Sequence, residues 1–215
     1  MPVKLIIFDL DGTLVDSSID ITNAINHALE PYNVPTVTVQ GTITLVGEGI
    51  TRLIEKLIEK EGISADRDSL VKRFLDHYSA HLVDNTTVYP GVAETLAELN
   101  GYKKAVISNK REALSAETLE KLGLAQYLDL IVGSDTTPER KPSPVPILHV
   151  LSKLDIKPED AVIVGDSNFD IEAGRAAGIK TIAVTYGYRL REILQGADFI
   201  IDRMPELTDI LRRIQ

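Results

Sequence analysis

The sequence predicts an α/β protein, a doubly wound parallel sheet carrying an inserted block of helices, and three patterns carry that prediction. Short apolar runs recur along the chain, helix-period segments lie between most of them, and one long stretch near the start shows helical patterns with no comparable run. The runs fall at 3–10, 104–108, 130–133, 161–165, 181–184 and 199–201. They are rich in Val, Ile and Leu and bounded by turn-forming residues. Continuous apolar runs of this length suit strands buried on both faces of a parallel sheet. The helical segments between them fall at 92–99, 113–122, 145–154 and 170–177, so the connections are expected to be right-handed crossovers.

The stretch 17–84 breaks this alternation. It holds amphipathic helical patterns at 19–29, 50–61 and 69–82, with turn material near 31–35 and 61–66. Its apolar positions, among them the stripe Leu53, Ile54, Leu57 and Ile58, suffice for a small core of its own. The expected organisation is therefore a catalytic core of residues 1–16 and 85–215 and a helical cap of residues 17–84, with hinges near 16–18 and 84–87.

Composition narrows the function. The chain has 215 residues, 44% of them hydrophobic and 26% charged, and its 32 acidic and 23 basic side chains give a net charge of −9. Such a balance belongs to a folded globular protein, and its long-range field repels nucleic acid and anionic membrane surfaces. The absence of cysteine removes disulfides, thiolate zinc sites, iron–sulfur clusters and a Cys nucleophile. The first apolar run is too short for a membrane span and no signal peptide precedes it, so the expected location is the cytoplasm.

In an open α/β sheet, ligands bind outside the carboxyl ends of the strands. The residues following the first, second and fourth runs are Asp9, Asp11, Gly12 and Thr13, then Ser108, Asn109 and Lys110, then Gly165, Asp166, Ser167 and Asp170; Lys141 lies in the loop after the third. Singly, each has an ordinary explanation, since Asp-Gly forms turns and Ser, Asn or Asp cap helices. Together they bring four carboxylates and at least one lysine to one sheet edge. Carboxylates so gathered call for a cation, and hard oxygen ligands without thiolates point to Mg²⁺, which completes its octahedron with water and phosphate oxygens. A small phosphorylated metabolite is the expected partner.

The same residues carry a resemblance. Residues 8–16 (Phe-Asp-Leu-Asp-Gly-Thr-Leu-Val-Asp), 107–110 (Ile-Ser-Asn-Lys), 141–144 (Lys-Pro-Ser-Pro) and 164–170 (Val-Gly-Asp-Ser-Asn-Phe-Asp) resemble, in order, the four signatures of the haloacid dehalogenase-like hydrolases. Tyr89-Pro90-Gly91-Val92 and Thr185-Tyr186-Gly187-Tyr188 are similar to the phosphoglycolate phosphatase-like branch, in which a helical cap follows the first signature. The resemblance implies a Rossmann-like core and a phosphoric monoester hydrolase. Asp9 would attack phosphorus to form an aspartyl phosphate, and Asp11 would act as general acid and then base. Asp9, the Asp11 carbonyl and Asp166 would hold Mg²⁺, with Asp170 joining them directly or by fixing water or Lys141. Ser108 and Lys141, with the backbone N–H groups around Gly12 and Thr13, would bind the transferring phosphoryl oxygens, and Asn109 would line the same pocket.

Asp11 also separates phosphate-ester chemistry from the dehalogenases and phosphonatases of the superfamily, which carry another residue there. It leaves sugar phosphomutases and pyrophosphatases open beside the phosphatase, while a silent phosphate binder would have no use for the general acid. In the cap, Gly47-Glu48-Gly49 and Arg52 are candidate substrate-binding residues, although an acidic Glu48 suits a carboxylated phosphate such as phosphoglycolate poorly. His77 and His81, four residues apart on a helix, lack a third ligand nearby in sequence and read as structural.

Overall fold

The computed structural model describes residues 2–214. In chain order the elements are β1 (Leu5–Phe8), β2 (Val15–Asp16), α1 (Ser18–Leu29), α2 (Val39–Leu45), α3 (Ile50–Glu61), α4 (Arg67–Ala80), β3 (Thr87–Val88), α5 (Val92–Glu98), β4 (Lys103–Ile107) and α6 (Glu112–Lys121). They continue with β5 (Leu130–Val132), α7 (Val145–Leu154), β6 (Ala161–Gly165), α8 (Asn168–Ala177), β7 (Lys180–Val184), β8 (Phe199–Ile201) and α9 (Leu207–Arg213). The chain divides into two compact units, Ser17–Thr87 and the remainder on either side of it.

The larger unit is built on a six-stranded sheet of order β5-β4-β1-β6-β7-β8, every neighbour parallel. Period-two alternation divides each strand between two cores. Leu5 and Ile7 share one with Ala105, Ile107, Ala161 and Ile163, against Ile147, Val150 and Leu151 of α7 and Ala173 and Ala177 of α8. Ile6 and Phe8 share the other with Val106, Val162 and Val164, against Val92 and Leu96 of α5, Leu119 of α6 and Leu207 and Leu211 of α9. Each Val, Leu, Ile or Phe among these, taken out of water, contributes about 1.5–3 kcal/mol. This is why the runs contain almost no polar residues until the strands end.

Register then sets the site. Phe8 lies between Val106 and Val164, so Asp9, Ser108 and Asp166 emerge within a residue of one another at the same end of three adjacent strands. The chain winds outward from β1 to β4 and β5 and then crosses from β5 back to β6 on the other side of β1, and the reversal of strand order opens a crevice at that end.

The helical unit is a small bundle in which α1 packs against α4 and α2, and α3 against α4. Ile21, Ala24, Ile25 and Ala28 of α1, Leu53, Ile54 and Leu57 of α3, and Leu70, Phe74 and Tyr78 of α4 are its buried face; Ile58 of the expected stripe is half-buried. Helix α2 was not expected from the sequence. Val39-Gln40-Gly41-Thr42-Ile43 has poor helix propensity, and capping supplies the difference: the Gly41 N–H donates to Thr38 Oγ1 at 3.1 Å, while Thr22 Oγ1 of α1 donates to Thr42 Oγ1 at 2.7 Å. Among the described residues no helix is long and apolar enough to cross a membrane.

The two ends of this unit are tied by one carboxylate. Asp20, only 2% exposed, accepts from the Asn85 N–H at 2.9 Å, Asn85 Nδ2 at 2.8 Å, the Thr86 N–H at 2.8 Å and Thr86 Oγ1 at 2.7 Å. Burial pushes its carboxyl up, and the bonds from Asn85 and Thr86 outweigh burial and hold it below the ordinary 3.8. Asp20→Ala is expected to cost about 3 kcal/mol in urea unfolding, because it strands these buried donors. A group whose folded pKa is depressed stabilises above its unfolded pKa and ceases to do so as pH falls through the folded value. The difference between Asp20→Ala and the parent is therefore expected to be full at pH 7 and to narrow below about pH 4; an unchanged difference at pH 3 would show that the charge of Asp20 plays no part.

Candidate active site

Lys141, 2% exposed at its side chain, is the centre of the cluster. Its ammonium donates to Asp170 Oδ1 at 2.6 Å and to the Ile107 carbonyl at 2.7 Å, and meets Asp9 Oδ1 at 2.9 Å. Three donors thus find three acceptors. Burial works against its charge, but Asp170 and Asp9 hold its pKa above the ordinary 10.5. The Lys141 carbonyl accepts from Asn109 Nδ2 at 2.9 Å, which joins the lysine loop to the end of β4.

Asp9 follows β1 directly, its N–H donating to the Val164 carbonyl at 2.9 Å. Its Oδ1 takes both the Leu10 N–H at 2.7 Å and Lys141, and its side chain remains 13% exposed. The Asp9 carboxyl stands well above the usual carboxylate range. Burial raises it, Lys141 pulls it down, and Asp170 and Asp166 raise it again.

Asp166 follows β6. Burial, then the neighbouring Asp170, push it up to about 7, although the Tyr188 N–H donates to its Oδ2 at 2.6 Å and lowers it. Two glycines make room for this side chain. Gly12 has φ +87°, a conformation costly for other residues, and a Cβ there would fall 2.4 Å from Asp166 Oδ2; a Cβ on Gly187 would fall 2.3 Å from Asp166 Cβ. Asp170 lies in the first turn of α8, where its Oδ2 accepts from Ser167 Oγ at 2.6 Å and the Ser167 N–H at 3.2 Å. Both Asp170 oxygens are therefore engaged by the protein.

Among the described residues, the carboxylate oxygens that converge within 4.8 Å of one another are those of Asp9, Asp166 and Asp170. An all-oxygen donor set suits a hard divalent cation. A positive charge among these oxygens would lower the raised carboxyls of Asp9 and Asp166.

Ser108 is buried, and its Oγ accepts from the Lys110 N–H at 3.1 Å. The Asp11 carboxylate lies at this end of the sheet and pairs with Lys110, Nζ to Oδ1 at 2.7 Å. The Gly12 and Thr13 N–H groups close their own loop, onto the Val15 and Leu10 carbonyls, and the Thr13 side chain is fully buried. In the helical unit Glu48 forms an ion pair with Lys56, and Arg52 pairs with Glu55 at 3.2 Å. His77 does have neighbours, with His27 and His81 ring centroids 4.4 and 4.5 Å away, but the rings stack instead of converging their nitrogens. Burial, then His27 and His81, hold the His77 pKa below its ordinary value.

Three contributors were not given roles from the sequence: Lys110, Gly187 and Tyr186, whose hydroxyl donates to the Thr13 carbonyl at 2.9 Å. Lys110 stood in the second signature. The Tyr186 contact joins residues 173 apart and that of Gly187 reaches Asp166 on a different strand end, which no local pattern encodes.

Residues 6–184 match the family described as haloacid dehalogenase-like hydrolase. Over 98% of its length the chain is 41% identical to the phosphoglycolate phosphatase of Chromobacterium violaceum, of which it covers 97%. It is 40% identical to that of Aquifex aeolicus, with 97% of both chains covered. A crystal structure of a predicted phosphoglycolate phosphatase from Haemophilus somnus superimposes with a TM-score of 0.90 at 32% identity, covering 97% of each chain.

Replacing Lys141 by Met leaves two buried carboxylates without their cation, and a loss of about 3–5 kcal/mol is expected in urea unfolding; a loss below about 1 kcal/mol would remove the ammonium from its central place. Gly187→Ala, which forces Asp166 aside, is expected to weaken divalent-cation binding about tenfold or more in isothermal titration. Gly101→Ala, where an added Cβ meets nothing within 4 Å, provides the control and should leave binding unchanged.

Proposed function

The chain belongs to the haloacid dehalogenase-like hydrolases, in their phosphoglycolate phosphatase-like branch, and from that membership we propose a Mg²⁺-dependent phosphatase acting on a small phosphate monoester, phosphoglycolate foremost. The observation that carries this reading is the meeting of Asp9, Lys141, Asp166 and Asp170 at one end of three parallel strands. A lone carboxylate repels a phosphate dianion; one set against a buried ammonium and inside a cation-binding group does not.

Asp9 is the nucleophile. With the Leu10 N–H and Lys141 both on Oδ1, Oδ2 is the oxygen that attacks phosphorus, forming the Asp9–phosphate bond as the bond to the ester oxygen breaks. Asp11 gives its proton to the departing alkoxide. A water then attacks the aspartyl phosphate, Asp11 takes that water's proton, and Asp9 is freed as inorganic phosphate leaves. Lys141, through its charge beside Asp9, and Ser108, through its hydroxyl, stabilise the charge on the phosphoryl oxygens, with Asn109 holding the Lys141 loop in place. Asp9, the Asp11 carbonyl and Asp166 would hold Mg²⁺, which supplies charge neutralisation at the phosphoryl group. Asp170, both of its oxygens already engaged, orients Lys141 and the Ser167 turn.

The substrate choice rests on the relatives' names and on the cap. Glu48, adverse to a carboxylated substrate if bare, is paired with Lys56, as Arg52 is with Glu55 and Glu59, so neither charge stands alone. Arg52 is the cationic candidate for reading the leaving group. The small-metabolite substrate accords with the acidic balance of the chain, −9 overall.

Phosphate release from a panel of monoesters and pyrophosphate, with and without Mg²⁺, tests the reading. Phosphoglycolate is expected to give the highest kcat/KM, and Asp9→Asn to lose at least about a thousandfold while keeping its fold by circular dichroism. Retained turnover in Asp9→Asn would exclude the nucleophile, and preference for another ester would exclude phosphoglycolate alone.

A further inference from the structure

One charged side chain at the sheet edge has no part in the reaction above. Lys110 follows β4 with its backbone fixed on both sides, the N–H donating to Ser108 Oγ at 3.1 Å and the carbonyl accepting from the Ser134 N–H at 2.9 Å. From that root its side chain crosses to the end of β1, where Nζ lies 2.7 Å from Asp11 Oδ1. The pair is nearly closed to water, at 7% and 11% exposure. A charge-assisted bond this short and this shielded fixes geometry as well as energy, and it joins residues 99 apart in sequence.

We propose that Lys110 is a positioning residue for Asp11. It anchors one carboxylate oxygen and so fixes the plane and reach of the group that must meet the leaving-group oxygen in the first half-reaction and the water in the second. The inference rests on Asp11 being the proton carrier proposed above. Proton transfer requires heavy atoms within about 2.6–3.2 Å, and an ion pair on one oxygen of Asp11 narrows the orientations its carboxyl takes to those that meet that condition. Lys141 cannot do this work, because its three donors are engaged by Asp170, Ile107 and Asp9. The two lysines thereby divide the site, one serving the phosphoryl group and the other the proton.

Leaving groups separate this role from its rivals. For each variant kcat/KM, which reports the steps through departure of the leaving group, is measured with ethyl phosphate, phosphoglycolate and p-nitrophenyl phosphate; p-nitrophenolate departs without a proton. Lys110→Met is expected to lose about thirtyfold on the two alkyl phosphates and less than about threefold on the aryl ester. Lys110→Arg, which keeps a donor within reach of Asp11, should recover most of the loss. In the Asp11→Asn background, removing Lys110 should cost nothing further, since a residue acting through Asp11 has nothing left to position.

Equal losses on all three esters, or losses that add in the double variant, would mean a structural role and overturn the proposal. A loss on phosphoglycolate but not on ethyl phosphate would make Lys110 a contact for the substrate carboxylate and overturn it as well. Failure of the functional reading looks different, since the parent protein would then hydrolyse no ester or Asp9→Asn would remain active. Melting temperatures of Lys110→Met and Lys110→Arg within a few degrees of the parent establish that the comparison is between folded proteins.

Discussion

A lysine ammonium shut away from water stays charged only where other groups replace its hydration, and Lys141 is replaced on all sides: by Asp170 at 2.6 Å, by the Ile107 carbonyl at 2.7 Å and by Asp9 at 2.9 Å. Each partner comes from a different element. Asp9 ends β1, Ile107 ends β4, and Asp170 begins α8 behind β6. The ammonium can be satisfied only if these three strands keep their register, and the register in turn is set by the alternation of Leu5, Ile6, Ile7 and Phe8 between the two cores. Hydrophobic packing therefore determines where the charges meet. The net energy of a buried charge group is small or unfavourable compared with an apolar substitute, so its value here lies in what it places, not in what it adds to stability.

Space for the carboxylates is made by absence. Asp166 sits where Gly12 and Gly187 carry no side chains, and the N–H of Tyr188, the residue after Gly187, donates to its Oδ2. The loop bearing Gly187 is held in turn by the Tyr186 hydroxyl on the Thr13 carbonyl, so the last segment of the sheet edge supports the first. In the helical unit Asp20 does the corresponding work at the ends of the insertion, gathering Asn85 and Thr86 against the start of α1.

The parts legible in the sequence are those governed by local pattern. Each of the six apolar runs falls on a strand of the sheet, from Leu5–Phe8 to Phe199–Ile201, with β4 and β7 starting one residue earlier, at the exposed Lys103 and Lys180, because the part of a strand buried on both faces must be apolar. Asp9, Ser108, Asp166 and Lys141 were legible because the carboxyl ends of parallel strands are the only place such residues converge. What was not legible depended on distant or weak signals. Helix α2 opposes its own propensity and exists through Thr38 and Thr42; α9 carries buried Leu207, Ile210 and Leu211 over barely two turns. The pairing of Lys110 with Asp11 spans two strand ends, and neither residue's neighbours in sequence announce it. Gly187 read as a family mark, whereas its physical function is to leave room for Asp166.

Charge accounting connects these observations. Around the sheet edge four carboxylates, Asp9, Asp11, Asp166 and Asp170, face two ammoniums, Lys110 and Lys141. Fully ionised, the group would hold two negative charges in excess inside a protein that is already acidic. Burial and the neighbouring carboxylates push the carboxyls of Asp9 and Asp166 up, the latter to about 7. A divalent cation would offset those two charges without occupying the nucleophile's lone pairs with protons, and a phosphate dianion would then approach a neutral group. On this reading the cation removes the imbalance that would otherwise repel the substrate. The two ammoniums could not substitute for the cation, because each is already committed to a carboxylate whose position it fixes.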